Sequence, residues 1–224
     1  MKTIKIFCLK IFVLIMIFAV TQSNSFAIIC ANGAGSGYGE GTGGESAICS
    51  TNLIENYIIE GAGHYLDAYS TILYFFNRVE LANDSSRDFF LWQWLVYNAI
   101  TKMNRAAAVY DTLIGEAETT PYNEIVLLKL KNFNYLQFRV DNGLKIEIFQ
   151  DVQAYLHAGD ITGVFKRIQA NFKEIISRLE SIYGEVSQGK MPALVSLWDL
   201  NERCSATLLF GQYVSRVFYN INSY

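Results

Sequence analysis

The chain has 224 residues, with 18 basic and 21 acidic side chains and a formal net charge of −3. Phosphate binding needs clustered Lys and Arg, so this mildly acidic composition argues against nucleic acid as a partner. The 14 tyrosines, 15 phenylalanines and only two prolines favour long helices around an aromatic core. They exclude a disordered chain, which would need low hydrophobicity and high charge.

Residues 1–27 have the pattern of a secretory signal peptide. A basic start precedes an apolar run over 11–20, and a polar stretch then leads to the small-x-small ending Ser25-Phe26-Ala27. The apolar run is shorter than the roughly 20 residues that a membrane-spanning helix needs. We therefore predict cleavage after Ala27, a secreted or periplasmic protein, and no transmembrane helix in the mature chain.

Residues 28–50 form a glycine-rich stretch that we interpret as a flexible arm, because such a composition cannot bury enough surface to offset its ordering entropy. Cys30 and Cys49 lie near its ends, and a disulfide between them would contribute on the order of 3 kcal/mol in the chain-entropy model. The alternative is a bridge between Cys49 and Cys204. Helical spacing places Cys204 on a core face, which favours the Cys30–Cys49 loop.

The remainder of the chain, residues 51–224, carries apolar side chains at every third or fourth position. Amphipathic helices cannot bury their apolar stripes alone, so the pattern predicts an all-α fold, an antiparallel bundle of five to six helices. In chain order we expect helices over about 52–81, 86–114, 121–140, 144–157, 161–187 and 192–221.

The segment around Asn142-Gly143 has two interpretations. Apolar and polar residues alternate on both sides of this step, which is typical of a β-hairpin. Alternatively, Asn142-Gly143 ends one helix and a short helix follows from Leu144. The long helical neighbours on both sides favour the helical interpretation.

Gly61-Ala62-Gly63 lies inside the first predicted helix, where each glycine costs roughly 1 kcal/mol relative to alanine. One explanation is close backbone approach by another helix. The other is a local break in the helix that lines a ligand pocket.

A polar group on the same helix consists of Asn56, Glu60, His64 and Asp67, spaced by four, four and three residues. At 100° per residue these side chains share one face, opposite the apolar stripe. We interpret them as a solvated polar face rather than a metal site. Neither histidine has a glutamate three residues before it, so the di-metal pattern of ferritin-like bundles is missing, and we expect no metal and no cofactor.

Residues 89–100 are apolar nearly all round, which is typical of a central helix buried on several sides. The alternative is an exposed aromatic surface formed by Trp92, Trp94 and Tyr97, which would mark an interaction site.

No motif of a known catalytic chemistry is present, so we expect a protein that is not an enzyme. Our functional hypothesis is an exported helical-bundle protein that acts as an interaction or structural module in the periplasm or cell exterior, with a protein as its partner. The alternative is a helical-bundle protein that binds an apolar small molecule or cofactor among its aromatic side chains. The sequence leaves the partner's identity and the oligomeric state open.

Overall fold

The computed structural model describes residues 45–83, 86–119, 124–144 and 148–219, and most of these residues are helical, as the apolar periodicity of the sequence predicts. Side chains are described within these ranges except at 45–52, 124–126, 130 and 219. The seven helices there are α1 Glu45–Glu80, α2 Phe89–Thr119, α3 Glu124–Lys131, α4 Tyr135–Asp141, α5 Val152–Ala158, α6 Ile161–Ser187 and α7 Leu194–Tyr219. The predicted all-α class is confirmed, and these described ranges contain no strand. The signal peptide, its cleavage point and Cys30 lie outside them.

The helix predicted over 121–140 is two helices, α3 and α4, so the described part of the chain has one helix more than the upper expectation. Asn134 is the physical reason. Its side-chain oxygen accepts a hydrogen bond from the backbone N–H of Gln137 at 3.1 Å, which starts α4 as a new helix.

The segment around Asn142-Gly143 is a helix end, and the hairpin alternative is wrong. Phe138, which would have been a strand residue, lies within α4, and its carbonyl accepts the backbone N–H of Asn142. Gly143 adopts a left-handed φ of 63°, and the N–H of Leu144 bonds back to the carbonyl of Arg139 at 3.0 Å. The following helix, α5, begins later than the predicted residue 144.

The four long helices pack as an antiparallel bundle. Helix α1 contacts α2 and α7, and α6 contacts the same two helices from the other side, so α1 lies diagonally from α6 and α2 from α7. Tyr65 pairs with Cys204 and Tyr69 with Asn201, which sets α1 and α7 antiparallel. The shorter helices α3, α4 and α5 belong to the long connection between α2 and α6. All seven helices belong to one compact unit.

The core lies between the four long helices and is strongly aromatic. Tyr65 of α1 stacks on Phe172 of α6 with ring centroids 5.2 Å apart, although the two helices are diagonal. Tyr110 of α2 meets the same phenylalanine edge to face at 5.0 Å. Each fully buried large apolar side chain contributes about 1.5–3 kcal/mol relative to exposure, so this packing holds the bundle together.

Helix α6 follows its predicted bounds, and its predicted apolar stripe is buried except for Tyr183. Asp160 caps this helix, because its carboxylate accepts the backbone N–H of Gly163 at 2.7 Å. Gly189, two residues after the end of the helix, has a left-handed φ of 68°. Local sequence therefore sets both ends of this helix.

Close packing, rather than a helix break, explains Gly61. A Cβ added at Gly61 would lie 2.8 Å from Cε2 of Tyr110, so α2 approaches α1 where the side chain is missing. Gly63 has nothing within 4 Å of an added Cβ, and α1 runs without interruption through both glycines.

In the described ranges, no helix combines the length and the apolar character that a membrane-crossing helix needs.

Candidate functional site

Exposed apolar side chains concentrate at one end of the four-helix bundle. This end is formed by the C-terminal ends of α1 and α6 and the N-terminal ends of α2 and α7. Gln93 of α2 lies beside Val186 of α6, with its Nε2 3.5 Å from the carbonyl oxygen, and Arg178 of α6 forms an ion pair with Asp199 of α7. We call it the aromatic end and define it by its exposed members: Tyr74, Leu81, Phe90, Trp94, Tyr97, Tyr183, Met191, Leu194, Val195 and Trp198.

Helix α2 carries the longest aromatic stripe of this end. Phe90, Trp94 and Tyr97 follow at four- and three-residue spacing, so they share one face, and their exposed fractions are 81%, 57% and 60%. Trp92 is 1% exposed and packs edge to face against Phe75, so it is a core residue and does not belong to the surface predicted for it. Residues two positions apart in an α-helix are rotated by about 200° around the helix axis, so Trp92 and Trp94 lie on nearly opposite faces of α2.

The polar group of α1 lies at the surface. Asn56, Glu60 and Asp67 are exposed and His64 is half-buried, as a solvated polar face requires. The Nε2 atom of His64 is 4.0 Å from a carboxylate oxygen of Glu60. Among the described residues, no group of three or more His, Cys, Asp or Glu side chains could hold a metal ion.

A buried polar seam joins α6 to α7. Asn171 is fully buried, and its amide donates to the hydroxyl of Thr207 while its carbonyl oxygen accepts from Arg203 at 3.0 Å. Arg203 also forms an ion pair with Glu174. This seam was not predicted from the sequence. Its one sequence signal is Asn171, a polar residue next to Phe172 of the apolar stripe of α6. Because buried polar groups need partners, these bonds fix the register of α7 against α6.

Tyr65 and Cys204 lie at the centre of the bundle as neutral groups. The Tyr65 hydroxyl donates to the backbone carbonyl of Cys204 at 2.6 Å. Burial, reinforced by the neighbouring Cys204, raises the pKa of Tyr65 well above its ordinary value. Burial also raises the pKa of the Cys204 thiol to about 12. A protonated buried thiol is a poor nucleophile, so Cys204 is a packing residue.

Cys204 is a free thiol with no exposed surface, as its helical spacing predicted. The predicted bridge between Cys30 and Cys49 lies outside the residues whose side chains are described, and it stays a prediction.

A shallow cleft of about 280 Å³ lies near the start of α6. It is lined by Tyr155, Asp160, Thr162, Gly163, Lys166, Arg167 and Ala170. Lys166 pairs with Glu118 at 2.8 Å, and this hydrogen bond raises the pKa of the lysine. Arg167 pairs with Asp151 at 2.8 Å. The Asp160 carboxylate caps α6, so each of the three charged side chains of the cleft has a partner within the chain.

Comparison of the chain with protein-family models, with curated proteins and with solved structures finds no match.

Proposed function

We propose that this chain is an exported, non-enzymatic interaction or structural module of the periplasm or cell exterior, and that it works through the aromatic end. The observation that carries the proposal is the set of large apolar side chains that this end leaves in water, with Phe90 and Leu81 about four-fifths exposed. Contiguous apolar patches of this kind mark interaction sites, because leaving them in solvent is unfavourable. The sequence pattern of residues 1–27, which is typical of a secretory signal peptide, supports the exported location.

The chemistry of the remaining candidate sites supports a non-enzymatic role. The most shifted titratable groups, Tyr65, Tyr110 and Cys204, are buried and held in their neutral forms by desolvation. The cations of the α6 cleft are paired with carboxylates. A catalytic group needs a shifted pKa and access to the substrate. The buried tyrosines and cysteine lack that access, and the cleft cations are already paired with carboxylates.

The alternative of an apolar-ligand protein has less support. It needs aromatic side chains around a space for the ligand, whereas Tyr65, Tyr110 and Phe172 pack against one another. The apolar character of the aromatic end fits either a protein partner, as the sequence suggests, or a lipid surface.

A photo-crosslinking amino acid in the full-length precursor, expressed in its host, tests the proposal. It is placed at Trp94 in one variant and at Leu136 in a control. Leu136 is similarly exposed, at 67%, but lies on α4, outside the aromatic end. We expect the exported fraction to contain a chain that begins at Ile28 and gives adducts from position 94 only. Retention of the uncleaved precursor in the cytoplasm, or equal adducts from both positions, would refute the proposal.

A further inference from the structure

Each of the four long helices carries an exposed tyrosine or tryptophan near the aromatic end. These residues are Tyr74 on α1, Trp94 and Tyr97 on α2, Tyr183 on α6 and Trp198 on α7. At a rise of 1.5 Å per residue they lie about 6–12 Å from the ends of their helices. They therefore form an aromatic belt around the bundle, within about 12 Å of the ends of their helices.

Beyond the belt, the two turns that close this end carry exposed side chains without a polar tip. Leu81, at 78% exposed, follows α1, and Phe90 lies in the first turn of α2. Met191 precedes α7, and Leu194 and Val195 form its first turn. From the extremity of the aromatic end towards the middle of the bundle, purely apolar side chains therefore come first and the amphipathic Tyr and Trp rings come second.

The aromatic belt includes a residue from each of the four long helices, and therefore from each corner of the bundle. Helices α2 and α7 are diagonal in the bundle, as are α1 and α6, so Trp94 and Trp198 lie on opposite corners. A folded protein partner or a second copy of the chain packs on one face, and could cover only part of such a belt. A bilayer surface surrounds an inserted end on every side.

We propose that the aromatic end inserts into the surface of a phospholipid bilayer; this inference rests on the proposed function and names its partner. Tryptophan and tyrosine rings favour the headgroup region, because one part of each ring is apolar and the other can hydrogen-bond. The tip side chains, with Leu81 and Phe90 the most exposed, would lie about 5–10 Å deep at the acyl boundary, as in other interfacial proteins.

The charges near the tip have both signs. Arg78 and Lys190 are exposed, and Arg78 stacks over Tyr74 at 5.3 Å and donates to its hydroxyl at 3.0 Å. Asp88 caps α2 by accepting the backbone N–H of Leu91 at 2.9 Å. Apolar burial rather than attraction to anionic lipid therefore drives docking, so zwitterionic vesicles are sufficient.

Co-sedimentation of the exported chain with large unilamellar phosphatidylcholine vesicles, with and without phosphatidylglycerol, tests the inference. Two variants, Trp94→Ser and Trp198→Ser, each remove one exposed ring from one of two diagonal helices. The matched control is Leu136→Ser on α4. We expect each tryptophan variant to lower the partition coefficient roughly tenfold, the effect of losing about 1.4 kcal/mol of apolar burial. We expect the control to partition like the unchanged chain, and far-ultraviolet circular dichroism to show all three variants folded.

Brominated phosphatidylcholine gives a second readout that needs no stability comparison. In three variants that each keep one tryptophan and replace the other two by Phe, bromine should quench Trp94 and Trp198 and leave the buried Trp92 unquenched. Failure of the exported chain to sediment, or loss of binding in only one of the two serine variants, would overturn the inference. A protein adduct rather than a lipid adduct at position 94 would also overturn it, while leaving the proposed function intact.

Discussion

Two glycines of α1, two residues apart in the chain, give a matched test of how closely α1 and α2 pack. Alanine at either position gains about 0.5–1 kcal/mol of helix propensity, because glycine loses more backbone entropy on folding. At Gly63 nothing lies within 4 Å of the added methyl group, so Gly63→Ala should raise the free energy of unfolding by about that amount.

At Gly61 the same methyl group would lie 2.8 Å from Cε2 and 3.0 Å from Cδ2 of Tyr110. The Tyr110 ring cannot easily move, because Phe165 and Phe172 meet it edge to face at 6.2 and 5.0 Å. Overpacking of this kind costs about 1–3 kcal/mol. Gly61→Ala should therefore be less stable than Gly63→Ala by about 1–3 kcal/mol.

Urea unfolding followed by far-ultraviolet circular dichroism measures both variants. A Tyr110→Ala background removes the obstructing ring, so there Gly61→Ala should recover its propensity gain. Equal stabilisation by Gly61→Ala and Gly63→Ala in the unchanged background would refute the close approach of α2 to α1.

Three further predictions concern the core and the start of α6. Asn171→Leu should lower the free energy of unfolding by about 2–4 kcal/mol in urea titrations, because it removes the buried hydrogen bonds of the amide to Thr207 and Arg203; a neutral result would show that the seam is not formed. Asp160→Ala should cost about 1 kcal/mol and Asp160→Asn much less, since asparagine can also cap α6; equal losses would contradict the capping assignment. Burial raises the pKa of Cys204 from 9.0 to about 12 and the pKa values of Tyr65 and Tyr110 above 10.0. The unfolded chain therefore releases these protons first, so stability should be full below pH 9 and fall as the pH rises towards 12, by up to about 1.4 kcal/mol per pH unit for each group; constant stability across that range would contradict their burial.

The predictions that succeeded rest on local signals. The bounds of α6 follow from the Asp160 cap, an unbroken apolar stripe and the stop at Gly189. The polar face of α1 follows from helix geometry alone, because side-chain spacing sets which residues lie opposite the apolar stripe.

The predictions that failed depend on competition between local signals or on tertiary neighbours. In the segment between α3 and α4, Asn134 interrupts an apolar pattern that otherwise continues, and the capping bond prevails over the periodicity. In α2, residues around Trp92 and Trp94 are apolar on every face, so periodicity cannot identify the buried one. The packing of α2 against α1 and α6 determines which of the two tryptophans is buried.

The seam around Asn171 and the aromatic end required the assembled bundle. Asn171 finds Thr207 only when α7 is in register with α6, and no local pattern fixes that register. Likewise, Trp94 and Trp198 are more than 100 positions apart in the chain and share one end only because the helices alternate in direction.

The most direct test of the central claim, that the exported chain binds membranes through its aromatic end, is fractionation of the host. The unchanged chain and a Trp94→Ser/Trp198→Ser double variant are quantified in membrane and soluble exported fractions. The unchanged chain should sediment with membranes and the folded double variant should move to the soluble fraction. Equal distribution of the two chains would contradict the claim.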